Sequence, residues 1–332
     1  MAEPEKRRGV VLAGVVGALI TAAVILASSG GNLDRMTFGD GELHRAVAAD
    51  LGADSRSVEP QIESSGPSIR YGRIGFPLML WAFSGGQPAA MKYVQPMLMV
   101  ACGAFITVVT YLLLPTQAVA WAVVPFFAVG LTVSLAGGFA EPLAVALGLL
   151  GVLLVERSKI GPAIVCIAAA ILVRETSVVI VIGLIVWLTL RKSRRHAVFL
   201  IASLVPAAIW HVIVALRFGH FPLFDPWLYE SDTVGTPVVA LIRAVQRVGF
   251  SSLVVLAVHL ILAISALYLA RSSLFGTIAL VSGLAMLNVG TNTWTYIGDA
   301  TRVSVFLEIF VLLAFVRQRL SRGQVGNKVR CV

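Results

Sequence analysis

The chain has 332 residues, of which 58% are hydrophobic and 13% charged, and its formal net charge is +9. Soluble domains carry about 25% charged residues, so this composition excludes an ordinary water-soluble enzyme, a disordered chain and a disulfide-stapled secreted scaffold. Cys102, Cys166 and Cys331 are too few and too scattered for a metal framework or a disulfide ladder.

In chain order, Lys6, Arg7 and Arg8 precede an apolar run over 9–27. At 1.5 Å per residue, about 19 residues suffice to cross a bilayer. Ser28-Ser29-Gly30-Gly31 is a poor cleavage site, so 9–28 is expected to be a retained first transmembrane helix and not a signal peptide. Residues 29–92 then form a large extracytoplasmic loop, in which 74–83 is apolar but too short to cross and is expected at the interface. Nine further apolar runs follow at 93–114, 118–136, 141–155, 160–173, 177–190, 197–216, 250–270, 274–290 and 303–316. The expectation is an all-α polytopic protein of about ten transmembrane helices in one integral membrane domain over 1–332. A second outer loop spans 217–248, with an amphipathic stretch at 236–248 that suits the membrane surface. A basic tail spans 317–332 and reads as a stop-transfer anchor touching anionic lipid.

The run 160–190 reads as one helix or as two meeting at Arg174-Glu175. The basic loops decide it. Arg157-Ser158-Lys159 and the cluster at 191–195 both belong on the cytoplasmic side, which requires an even number of crossings between them. Two helices with Arg174-Glu175 outside satisfy this. The same parity puts both termini in the cytoplasm, with 15 of the 26 basic residues inside against Glu3, Glu5 and Glu156. Acids gather outside.

Charged residues near membrane depth are costly and mark sites or cavities. Asp40-Gly41-Glu42 offers a general base or permits a divalent cation, though no cofactor is required; a solvated turn is the simpler alternative. Arg70 and Arg73 suit phosphate oxygens, or anchor the membrane edge. Glu141-Pro142 starts a helix. Arg174-Glu175 is either a local ion pair or an anion grip, and Asp299 and Arg302 open the last helix. His211 and His259 read as core residues, with no zinc spacing near them.

The order of Asp40-Gly41, Tyr71-Gly-Arg-Ile-Gly-Phe-Pro77, Glu141-Pro-Leu-Ala, Leu172-Val-Arg-Glu-Thr176 and Asp299/Arg302 resembles the multi-spanning GT-C glycosyltransferases, notably bacterial relatives of the PIG-V-type mannosyltransferases. The resemblance runs over roughly 9–317, through short, degenerate motifs. It implies a polyprenyl-phosphate-linked sugar donor and transfer at the outer face to a glycan, lipid or protein acceptor. By the same carry-over Asp40 leads as catalytic base, followed by Glu42 and Asp34. Arg73, Arg174 and Arg302 become candidates for the donor phosphate, and Glu141 and Glu175 for orienting them. The chain departs from that group in its short length and in Leu43-His44 after Asp40-Gly41. No nucleic acid partner is expected, and the location implied is the cell membrane. A flippase or transporter of an anionic lipid-linked substrate, and a non-catalytic scaffold, are the alternatives.

Overall fold

The structure, a computed structural model, describes residues 3–32, 40–51, 62, 66–115, 118–226, 250–286 and 297–329. The described residues form helices, and no strand occurs among them. In chain order the helices are α1 (Glu3–Ser29), α2 (Asp40–Asp50), α3 (Pro67–Gly72), α4 (Gly75–Ser84), α5 (Pro88–Leu113), α6 (Val119–Ala122), α7 (Val129–Gly137) and α8 (Glu141–Glu156). There follow α9 (Ile160–Val173), α10 (Val178–Leu190), α11 (Arg194–Leu200), α12 (Val205–Phe218), α13 (Phe250–Ala270), α14 (Leu274–Ala285), α15 (Ile297–Val303) and α16 (Val305–Val329).

Among the described residues, three helical stretches are long and apolar enough to cross a membrane: α1, α5 and the 25-residue run Arg194–Phe218, which a 3-10 turn at Ile201–Leu204 carries from α11 into α12. A fourth arises if Val119–Phe127 and Val129–Gly137, bent by 78°, make one broken span. The expected single helix over 118–136 is thus interrupted. Pro125 has no N–H to continue the helical ladder, the chain tightens into a 3-10 turn at Val124–Phe127, and Ala128 is extended. Several other apolar helices are shorter, with 14 residues in α9, 13 in α10 and 12 in α14, whereas α13 has 21. The amphipathic stretch expected at 236–248 lies outside the described residues.

Helix α1 buries Ala13, Gly17, Thr21, Ile25 and Ser29, a stripe of mostly small residues four apart, against α5. At the crossing, a Cβ on Gly17 would lie 2.6 Å from the carbonyl oxygen of Gly103. Only glycine lets the two backbones approach this closely, as in small-residue helix contacts within lipid. The opposite face of α1 leaves Val11, Leu12, Val15 and Leu19 exposed, and α12 and α13 likewise expose Ile209, Ile213, Ile261 and Ile264. Outward apolar faces of this kind suit hydrocarbon as their solvent. The core gathers α4, α5, α7–α10, α14 and α16 around Phe76, Met99, Leu135, Leu149, Ile180 and Phe310.

Two polar ends bound this core. Glu141 opens α8 and Glu156 closes it, roughly 22 Å apart at helical rise. The first belongs to the cluster described next. The second belongs to a cleft that also receives Arg191, Ser272 and Arg317.

Candidate functional site

Residues 40–50 are helical and not a solvated turn. Helix α2 packs on α4 and α5 through Leu43, His44, Val47 and Ala48. Gly41 sits against the turn before α8, where an added Cβ would meet the Gly137 carbonyl oxygen at 2.5 Å. Buried Gln95 fastens that contact: its side-chain amide donates to the carbonyls of Gly41 at 3.2 Å and Gly138 at 2.6 Å. Pro96 follows it inside α5.

This placement aims Asp40 into a cluster assembled from five stretches of chain. Arg70 donates to Asp40 Oδ1 at 2.5 Å, and Arg302 donates to Oδ2 at 2.7 Å. Arg302 also reaches Glu141 Oε1 at 3.0 Å, and its guanidinium lies 3.7 Å from the centre of the Phe139 ring. Arg174 Nη2 is 3.2 Å from the same Glu141 oxygen. Arg73 donates through Nε and Nη2 to Glu175, with the shortest contact at 2.5 Å. Four guanidinium groups therefore face three carboxylates, and one positive charge is left over.

The chain breaks at Arg174 to allow this. Helix α9 ends at Val173, Arg174 is extended, and a 3-10 turn at Glu175–Ser177 leads into α10. Two helices meeting at Arg174-Glu175 are what the sequence predicts. The local ion pair is not formed, because each partner turns to a distant one: Arg174 to Glu141 and Glu175 to Arg73.

Burial alone would raise the proton affinity of Asp40. The guanidinium groups of Arg70, Arg302, Arg73 and Arg174 outweigh it and hold the carboxyl well below the usual carboxylate range. His44 lies one helical turn on, edge-on to Phe76 with 5.2 Å between ring centres. Burial pulls it down to about 3, against the opposing pull of Asp40 and Glu141, so it is neutral at physiological pH.

Four buried polar atoms here have no hydrogen-bond partner within the protein: Arg174 Nη1, Glu141 Oε2, His44 Nε2 and Gln95 Oε1. Buried polar atoms are nearly always paired. One cationic donor and one carboxylate acceptor, on side chains already in contact, are therefore available to a ligand.

The structure brings together Asp40, Arg70, Arg73, Glu141, Arg174, Glu175 and Arg302. It does not bring Glu42, which is exposed on α2 because two residues of helix turn it to the far side from Asp40. Asp40 and Glu42 consequently do not converge on a cation. Among the described residues no group of three or more His, Cys, Asp or Glu gathers as a metal site. Asp34 and the side chain of Asp299 lie outside the described residues, although Asp299 belongs to α15.

Sequence reasoning missed Gln95, His44 and Phe139 as parts of this site. Gln95 stands as a single polar residue beside a proline in an apolar helix, which is a signal in hindsight. It also left Glu308 and His259 unconnected. In the structure Ser304, at the break between α15 and α16, donates to Glu308 Oε1 at 2.8 Å and lies 2.7 Å from His259 Nε2. The Gly130 amide at the start of α7 donates to the other Glu308 oxygen at 3.1 Å.

Compared with models of protein families, with curated proteins and with solved structures, the chain matches none. The likeness to GT-C enzymes rests on the motifs quoted above.

Proposed function

We propose that this chain is a GT-C-type membrane glycosyltransferase. It moves a mannose-like hexose or a pentose from a polyprenyl-phosphate donor to a glycan, lipid or protein acceptor. The observation that carries the reading is the meeting of Asp40, Glu141 and Glu175 with four arginines from distant stretches, where Arg174 Nη1 and Glu141 Oε2 lack protein partners. A scaffold has no need to bury such a cluster, which is expensive to desolvate.

The donor phosphate takes the fork of Arg174 and competes with Asp40 for Arg70 and Arg302. That competition frees a carboxylate oxygen for the acceptor hydroxyl. The acceptor oxygen then bonds to the anomeric carbon as the carbon–phosphate-oxygen bond breaks. The bonding pair leaves with the polyprenyl phosphate, whose charge the arginines stabilise, and the hydroxyl proton passes to Asp40. Glycosyl transfer has an oxocarbenium-like transition state, in which the attacking hydroxyl becomes strongly acidic. A carboxylate of low proton affinity is therefore an adequate base. Glu141 Oε2 accepts from a sugar hydroxyl, and Glu175 holds Arg73 in place.

The proposal extends to topology. About ten crossings put both termini in the cytoplasm and the Asp40 cluster at the extracytoplasmic face of the cell membrane. The basic residues at the other end of α8, α10 and α16 then lie inside, as the positive-inside bias requires. The isoprenoid chain lies along the outward apolar faces of the helices.

The test is incubation of purified protein with a panel of radiolabelled polyprenyl-phosphate sugars and membrane extract as the acceptor source. Consumption of one donor with label moving into product is expected. Failure to consume any member of the panel contradicts the reading.

A further inference from the structure

At the end of the bundle opposite Asp40, the ends of α8, α10 and α13, the start of α14 and the middle of α16 line a cleft of about 670 Å³. Its floor and walls are apolar, formed by Val155, Leu188, Leu269, Leu274, Phe275 and Ala314. Its mouth is cationic. Arg317 pairs with Glu156 and lies 5.2 Å from the Phe275 ring centre, so that arginine and the one lining carboxylate neutralise each other. Arg191 and Arg322 remain. Neither makes an ion pair among the described residues, and Arg191 stacks at 4.6 Å on Trp187, which fixes its guanidinium at the rim. Ser272, Ser273, Gln318 and Ser321 add hydroxyl and amide groups around it. Leu190, the residue before Arg191, is exposed at 70%.

Two uncompensated guanidinium groups over an apolar recess, with an outward-facing leucine next in the chain to Arg191, match a molecule with an anionic head and hydrocarbon chains. We propose that this cleft binds the phosphodiester headgroup of an anionic membrane lipid. The phosphate is held between Arg191 and Arg322, the serines and Gln318 meet the rest of the headgroup, and the acyl chains lie against the apolar wall of Leu188, Leu274 and Phe275. A soluble phosphate ester would use the arginines but gain nothing from the apolar wall. Arginines near an anionic surface are each worth about fivefold in binding, so the pair is worth roughly thirtyfold. The site is separate from the Asp40 cluster and does not depend on the transferase reading.

The experiment uses full-length protein in detergent titrated with phosphatidylglycerol, with phosphatidylcholine and with inorganic phosphate. Bound lipid is counted by native mass spectrometry, and melting temperature is followed in parallel. Phosphatidylglycerol is expected to bind and stabilise, with phosphatidylcholine and inorganic phosphate far weaker. The double variant Arg191→Gln/Arg322→Gln alters two exposed side chains and should lose roughly thirtyfold in phosphatidylglycerol binding. The control Arg157→Gln/Arg194→Gln removes two exposed arginines outside the cleft and should retain it. Unchanged binding in the cleft variant, an equal loss in the control, or inorganic phosphate binding as tightly as the lipid would each overturn the proposal.

Discussion

Asp40 is gripped on both oxygens by guanidinium groups, and Arg174 presents one nitrogen to no protein partner. In the proposed reaction the first is released as the second is engaged. Lysine keeps the charge of Arg174 but not its planar fork. Arg174→Lys should therefore raise the donor KM by about tenfold or more, one charged hydrogen bond's worth, with less effect on the acceptor KM. Steady-state kinetics with varied donor checks this, and an unchanged donor KM counts against a phosphate role.

His44 gives a second test at this scale. Its ordinary pKa is about 6.5, and the fold pulls it down to about 3. Between those values the unfolded chain binds a proton that the folded chain does not, so stability falls as pH falls through that window. At pH 4.5 the deficit is on the order of 2 to 3 kcal/mol. Asp40 is also depressed and adds its own loss only below about pH 4. Melting curves in detergent should show His44→Leu flattening the decline between pH 7 and 4.5. An equally steep decline in that variant removes His44 as its source. The charged members of the cluster were legible in the sequence because charge in an apolar chain is conspicuous. His44, Gln95 and Phe139 were not, since each is ordinary in a helix and gains its role from a neighbour far away in the chain.

Among the elements, α2 carries the most consequence. Its sequence reads as a polar loop, because only the neighbours supplied by α4 and α5 make Leu43, Val47 and Ala48 a buried face. Apolar runs were easier to read: α9 and α13 lie where hydropathy puts them, whereas the interruption at Ala128 depends on one proline. The break at Arg174 was legible from charge parity between loops, not from any local signal. The contact of Gly41 with the Gly137 carbonyl sets where Asp40 points. Gly41→Val should push α2 outward, and a displacement of about 1 Å costs roughly a hundredfold in rate. Transfer assays beside a melting curve test this. A folded Gly41→Val protein with normal transfer would show that Asp40 does not rely on that contact.

For the whole molecule, two polar ends sit on opposite sides of an apolar core. The acid-and-arginine cluster at one end and the basic cleft at the other give the bundle a direction. Single cysteines at exposed positions 42 and 321, in a background lacking the three native cysteines, report it. A membrane-impermeant maleimide should label Glu42→Cys in intact cells and Ser321→Cys only after permeabilisation. The reverse pattern would turn the proposed orientation over.

The chemistry is tested most directly by following binding and turnover of one radiolabelled polyprenyl-phosphate sugar in the same preparation, for the parent protein and for Asp40→Asn. The account predicts that the parent releases polyprenyl phosphate and labels an acceptor. It predicts that the variant, with its arginines intact, holds the donor at least as tightly yet transfers nothing. Near-normal transfer by Asp40→Asn, or a parent protein that binds no donor, would contradict it.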